Sequence, residues 1–281
     1  MRSQKGFTLV ELMIAAVIGL FLMASLMNLF ITTNKSITLS EALTQNQESG
    51  RFAMDYMTKF IRQAGYSADF TAAAPPILIN TLATPCTNAD ACSSNNPANA
   101  QGDRLSIPYV AGDDSVTKSC SGTDVGGAAL GQQSIANVFW VSNTAGSENE
   151  LRCRTYDYFN NAWIDNAPVS IVANVESFEF QVGLAENENS RNAARYVNID
   201  TIINDTTGSI TLNLVRSIRI ALLTTSQDSL DPNKVQTTTG SRKYIILDGP
   251  MIQTADDDSY LRQVFSNTIE LPNMIESAIL N

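Results

Sequence analysis

From Leu12 to Ile31 only Ser25 and Asn28 are neither apolar nor small, and a basic leader, Met1 to Gly6, precedes the run. A helix from Phe7 to Ile31 would be about 37 Å long, enough to cross a hydrocarbon core of ~30 Å. A secretory signal has a shorter apolar core with a small-residue cleavage site after it. Here the small residue, Gly6, comes first and no A-x-A follows. Cleavage at Gly6 would leave the whole apolar helix on the mature chain. Arg2 and Lys5 lie before the run and the next basic residue is Lys35. The positive-inside tendency therefore keeps the leader cytoplasmic and exports the remainder.

Glu11 is out of place in this setting. An acid at mid-bilayer costs about 2.5–3.5 kcal/mol, and less near the interface. An interfacial acid that favours the helix N-terminal dipole is one account. A cationic partner is the other, and cleavage after Gly6 would create one in the α-amino group of Phe7. That group lies one turn away within a chain. Between chains it would set the stagger of neighbouring helices.

The run GFTLVEL, Gly6 to Leu12, resembles the class III signal of type IV prepilins and type II secretion pseudopilins. The resemblance implies cleavage between Gly6 and Phe7 by a prepilin peptidase, N-methylation at Phe7, and an assembly role for Glu11. It covers about a tenth of the chain and leaves the member of the class open.

The net charge of −10 argues against general nucleic-acid binding, which needs a basic face. The chain has no histidine, which excludes Ser-His-Asp and Cys-His catalysis and HExxH metal sites. Gly126 and Gly131 have phosphate-loop spacing, but Gln132 and Gln133 stand where Lys and Ser/Thr are needed. No catalytic residue, cofactor site or metal site is expected. The four cysteines, Cys86, Cys92, Cys120 and Cys153, all lie in the exported part, where an oxidising compartment favours two disulfides. Three connectivities are open. Cys86–Cys92 with Cys120–Cys153 is preferred, and a zinc site is disfavoured because there is no CxxC.

Leu39, Leu43, Gly50, Met54, Met57, Ile61 and Ala64 recur at helical spacing, no proline occurs before Pro75, and Gly65 is placed as a helix stop. The pattern predicts one helix from about Phe7 to Ala64, with Gly19 and Gly50 as candidate bend points. A loop region runs from Ser67 to about Gln101. Strands are expected at Arg104–Val110, Ala136–Ser142, Glu150–Tyr158, Trp163–Val172, Val175–Gly183, Leu214–Thr224 and Lys243–Leu247. Pro108 makes the first of these an edge or broken strand. Asn160-Asn161 marks a hairpin turn. Glu179 and Gln181 alternate with Phe178, Phe180 and Val182, a half-buried pattern. Glu186–Arg195 and Thr225–Arg242 read as polar excursions, and Asp256, Asp257 and Asp258 as a solvated acidic turn.

Two further segments, Gly50–Tyr66 (GRFAMDYMTKFIRQAGY) and Asp256–Asn273 (DDDSYLRQVFSNTIELPN), resemble the PilW group of minor pilins; the second also resembles type II secretion pseudopilin J. The fold class expected is α+β, with a long N-terminal transmembrane and amphipathic helix packed on an antiparallel sheet. The chain divides into a leader (1–6), a transmembrane half-helix (7–31), an amphipathic periplasmic half (32–65) and a periplasmic domain (66–281). The resemblance implies a non-enzymatic minor pilin, inserted in inner-membrane lipid and then moved to the pilus tip. Its partners would be prepilin peptidase, other minor pilins, the major pilin and a large tip adhesin. The alternatives are a pseudopilin J-like subunit and a ligand-binding module on a pilin stem.

Overall fold

The computed structural model describes residues 6, 8–68, 74–80, 86, 88–96, 100–112, 114, 117–142, 149–205, 207–227, 242–254, 258 and 260–276. One helix, α1, runs from Leu9 to Ile61, 53 residues and about 80 Å. Thr8 caps its start. Its end is set by Gly65, whose φ of +73° favours a residue without a Cβ. The strands that follow are β1 (Ala100–Ala111), β2 (Thr117–Lys118), β3 (Asp124–Val125), β4 (Gln133–Ser142), β5 (Glu150–Asp157), β6 (Ala162–Trp163), β7 (Val169–Ala173), β8 (Val175–Leu184) and β9 (Arg195–Val197). After a short helix α2 (Ile199–Ile203) come β10 (Val215–Thr225), β11 (Lys243–Tyr244), β12 (Ile252–Gln253), β13 (Arg262–Glu270) and a terminal turn of helix α3 (Pro272–Glu276).

Nine strands form one mostly antiparallel sheet in the order β13-β10-β8-β1-β4-β5-β6, with β7 also on β5 and β9 also on β8. It consists of two antiparallel halves joined at a single parallel bridge, Gly102 to Phe178. Gly102 has a φ of +83°, and a Cβ there would collide with the Phe178 carbonyl. Beyond that bridge Asp103 continues the join with its side chain. One carboxylate oxygen accepts from Phe180 N at 3.0 Å and the other from Asn96 N at 3.0 Å.

One face of the sheet packs on the C-terminal part of α1. Ala53, Met54, Met57, Phe60 and Ile61 meet Leu105, Ile107, Phe139, Phe178, Phe180, Ile218, Ile220 and Ile269 in the main core. Full burial of Met57, Phe60 and Ile61 contributes about 1.5–3 kcal/mol each. The second face is covered as well. The Cys86–Cys92 loop lies over Ala136, Val138 and Tyr156, and the β11–β12 hairpin lies over Ala221 and Leu223.

The structure corrects several sequence expectations and keeps the Asn160-Asn161 turn. Pro108 lies within a continuous, unbroken 12-residue strand; from Arg104 on, that strand is laddered to β4 alone, so the edge reading holds on its other side. The amide of Arg104 and the carbonyls of Ser106, Pro108 and Val110 point away from β4, toward Ser94, Leu78, Gly65 and Ala68, so the missing N–H of proline falls on a side that needs no ladder. The Trp163–Val172 strand is interrupted between β6 and β7. The Asn160-Asn161 turn joins β5 to β6, with Asp157 accepting from the amides of Phe159 and Asn160. The strand expected at Lys243–Leu247 stops at Tyr244, and Leu247 takes a φ of 50° in the turn that follows. Within the Glu186–Arg195 excursion, Glu188 and Ser190 give their carbonyls to buried Arg216. The Thr225–Arg242 excursion, and Asp256 and Asp257, lie largely or wholly outside the described residues. Asp258 is paired with Arg262.

Glu179 departs furthest from its sequence pattern. It is 2% exposed, as is Asp103, and Gly249 at the hairpin turn sits against its carboxyl. Burial pushes the Glu179 carboxyl up, and the Asp103 charge, a hydrogen bond to Asp103 and the Asp248 charge push it further. Asp103 is raised too, by burial, against the backbone donors Phe180 and Asn96. The folded state therefore keeps a proton that the unfolded chain releases above the ordinary carboxylate range, pKa about 4.3. Stability from this pair is full at acid pH and is lost as pH rises through the raised folded values. Glu179→Gln, which mimics the neutral acid, is expected to flatten the loss of stability between about pH 5 and 8, measured by chemical unfolding at each pH. An unchanged slope would contradict the shared-proton assignment.

Candidate functional site

The candidate site is α1 itself, because one helix faces two environments. Every described side chain from Leu9 to Ile31 is exposed, with Leu9 at 76% and Phe21 at 77%. Such a surface on a folded chain marks a lipid or protein contact. Its hydroxyls are already satisfied: Ser25 donates to the Phe21 carbonyl at 3.0 Å and Thr32 to the Asn28 carbonyl at 2.9 Å. Farther along, Ser36, Thr38 and Thr44 repeat the pattern onto Thr32, Asn34 and Ser40. Polar groups bonded to their own helix can enter an apolar medium at low cost.

At the N-terminus Thr8 and Glu11 form a capping box. The Glu11 amide donates to Thr8 Oγ1 at 3.3 Å, and the Glu11 carboxylate accepts from the Thr8 amide and hydroxyl, each at 3.0 Å. Gly6 is exposed just before this cap. Phe7 and residues 1–5 lie outside the described residues. The Glu11 carboxylate is thus bonded to Thr8 of its own chain.

The C-terminal half of the helix is held by the end of the chain. Gly50 sits directly on the ring of Phe265, leaving no space for a Cβ. Asn267 Nδ2 donates to Thr58 Oγ1 at 3.2 Å. Asn273 Nδ2 donates to the carbonyls of Arg62 at 3.3 Å and Ala64 at 3.0 Å, satisfying acceptors the helix end leaves open. Met274 Sδ lies against Gly65. The segments Gly50–Gly65 and Phe265–Met274, far apart in sequence, are thus one packed unit. Gly50 is a contact point here. The sequence placed it on the apolar stripe and as a candidate bend point.

One of the two disulfides braces this unit, and the other lies on the far face of the sheet. Cys86 bonds to Cys92 and Cys120 to Cys153, with Cα separations of 5.8 and 6.1 Å. The Tyr56 hydroxyl donates to the Cys120 carbonyl, tying α1 to the second disulfide. Sequence reasoning missed Arg216, which is 1% exposed. Its guanidinium donates to the carbonyls of Glu188, Ser190, Asn213 and Val215. A strand pattern with arginine at that position gives no sign that carbonyls converge there.

Gly50→Leu tests the packed unit. Leucine is favoured over glycine in a helix by about 0.8–1 kcal/mol, whereas overpacking against Phe265 costs about 1–3 kcal/mol. Net destabilisation is expected, seen as a lower denaturant midpoint. A raised midpoint would show that the contact is loose.

Comparison with known proteins follows the same division of the chain. The family described as Type IV Pilus-assembly protein W (PilW) matches residues 138–273. The family described as the prokaryotic N-terminal methylation motif matches residues 1–27. No curated protein matches the chain. Among solved structures, a type IV-like pilin from Thermus thermophilus is similar at 15% identity, over 65% of this chain and 82% of that one, with a TM-score of 0.32.

Proposed function

Since the chain belongs to the PilW family of minor type IV pilins, we propose that it primes pilus assembly as part of a complex at the filament tip. Prepilin peptidase cleaves it between Gly6 and Phe7 and methylates the new terminus. The apolar half of α1, residues 7–31, is stored in inner-membrane lipid. Residues 32–65 and the sheet domain, 66–281, stand on the periplasmic side, where other minor pilins, the major pilin and a large tip adhesin are the partners. Adhesion and twitching follow from the filament; the subunit's own work is mechanical.

The observation that carries this reading is the division of α1. Residues 9–31 are exposed and, apart from Glu11, Ser25 and Asn28, apolar or small, while Ala53, Met54, Met57, Phe60 and Ile61 are buried against the sheet. A helix built this way delivers a rigid head to a fixed distance from an apolar assembly seam. Glu11 supports the reading in a second way. Cleavage supplies the α-amino group of Phe7, a charged partner that can compete with Thr8 and register the subunit against a neighbour.

A deletion strain tests the proposal. Loss of surface pili and of twitching is expected; retained pili with blocked release of exoproteins would favour the pseudopilin J alternative. Glu11→Ala is expected to leave insertion and cleavage intact and to reduce incorporation into the tip complex, read as the amount recovered in sheared filaments. Incorporation at the wild-type level would remove the registration role. Gly6→Val should block processing, leaving Met1–Gly6 on the protein in a mass spectrum.

A further inference from the structure

The two outer edges of the sheet are built differently. At the β5 side the edge is broken into β6, of two residues, and β7, of five, with a register shift between Leu151 and Arg152. Pro168 immediately precedes β7. Short strands, irregularities and prolines are how sheets avoid edge-to-edge pairing. At the other side β13 carries none of these. It pairs with β10 through nine consecutive partners, Arg262 to Glu270, without a shift. From Gln263 to Ile269 it has no charge, proline or glycine.

The register also says which backbone groups are free. Leu271 N donates to the Arg216 carbonyl and Ser226 N to the Leu261 carbonyl. Continuing that alternation, odd-numbered residues of β13 bond to β10. The amides and carbonyls of Arg262, Val264, Ser266, Thr268 and Glu270 therefore point out of the sheet. Among the described residues no strand pairs with this edge. Val264 is 44% exposed. The odd side chains Phe265 and Asn267 are on α1, at Gly50 and Thr58. The open edge thus runs alongside the C-terminal part of α1, the part that carries the head on the helix by which pilin-type subunits are read to assemble.

We propose that the free edge of β13 is a docking strand, and that an extended, uncharged segment of a neighbouring pilin-type subunit adds to it as the next strand of the sheet. Backbone bonds from Val264, Ser266 and Thr268 supply the affinity. A charged partner residue would find no ion pair along Gln263 to Ile269, which favours an uncharged segment. The charges at the two ends are occupied or peripheral: Arg262 is held by Glu176 at 2.6 Å and Asp258 at 2.8 Å, and Glu270 is the last residue of the strand. The proposal rests on the reading that this chain assembles with other pilins.

The test places a photo-crosslinking phenylalanine derivative at Val264 of the full chain, in cells that carry the assembly system. An adduct with a pilin-type subunit is expected, mapping to an extended uncharged peptide. The same probe at Ser170, on the broken edge, should give at least tenfold less. Ser266→Pro removes an outward amide while leaving the β10 ladder intact. It should cut the Val264 adduct at least tenfold with an unchanged unfolding midpoint. Ser266→Lys, which guards an edge without altering the backbone, should do the same and decides the matter if the proline variant unfolds. A Val264 adduct unchanged in a folded variant, or equal yields at Val264 and Ser170, would overturn the docking strand. An adduct with a protein that is not a pilin would overturn the partner. If the chain still co-purifies with pilin subunits in those cases, the assembly reading stands without the strand; if it captures none, both fall.

Discussion

The contact of Gly50 with the ring of Phe265 is where the two parts of this molecule become one body. A helix about 80 Å long gains little from its own hydrogen bonds in excess of what water offers, so its position relative to the head depends on side-chain packing. Gly50, lacking a side chain, lets β13 approach the helix closely. Thr58, Arg62 and Ala64 then meet Asn267 and Asn273 in turn. The last strand and the segment after it therefore hold the helix over its final turns. Loosening that seam would leave the apolar half of α1 attached to a head with no fixed orientation, and a subunit that assembles by its helix would lose its geometry.

The same strand that holds the helix on one face is open at its edge. This combination follows from the topology. Because β13 is last in the sheet order, its odd side chains serve α1, its odd backbone groups serve β10, and its even backbone groups are left over. On the far side of the sheet the loops do the opposite, closing the surface with the Cys86–Cys92 loop and the β11–β12 hairpin. Closure there has a cost, since it buries Glu179 and Asp103 together and pushes both carboxyls above their ordinary range.

Much of this was legible in the sequence. The apolar run, the position of Glu11 and the long stripe from Leu39 to Ala64 gave a single helix, because a 3.6-residue period over many turns leaves little alternative. Strand positions around Phe139, Phe180 and Ile220 followed from short β-branched and aromatic runs. What the sequence hid has one physical cause: periodicity reports which face of an element is apolar, not what is laid over the other face. Glu179 reads as solvent-facing until the 246–249 turn covers it. Arg216 gives no signal because its partners are carbonyls, present at every residue. At the N-terminus the methylation motif was legible in the run around Gly6 and Glu11, and a family model for it matches residues 1–27. The capping box that holds Glu11 to Thr8 was not drawn from it, although Thr8 and Glu11 stand three apart.

Hydrogen exchange along α1 in the full chain, held in detergent micelles and followed by mass spectrometry, tests most directly whether the seam divides the helix. Amides from Gly50 to Ile61 should be protected to the same degree as those of β8 and β10, since all open only when the core of Met57, Phe60, Phe178 and Ile220 opens. Amides from Thr32 to Glu41, outside both the apolar half and the seam, should exchange far faster. Equal exchange across 32–61 would mean that the sheet does not hold the helix, and the account of a rigid head on an assembling stem would be wrong.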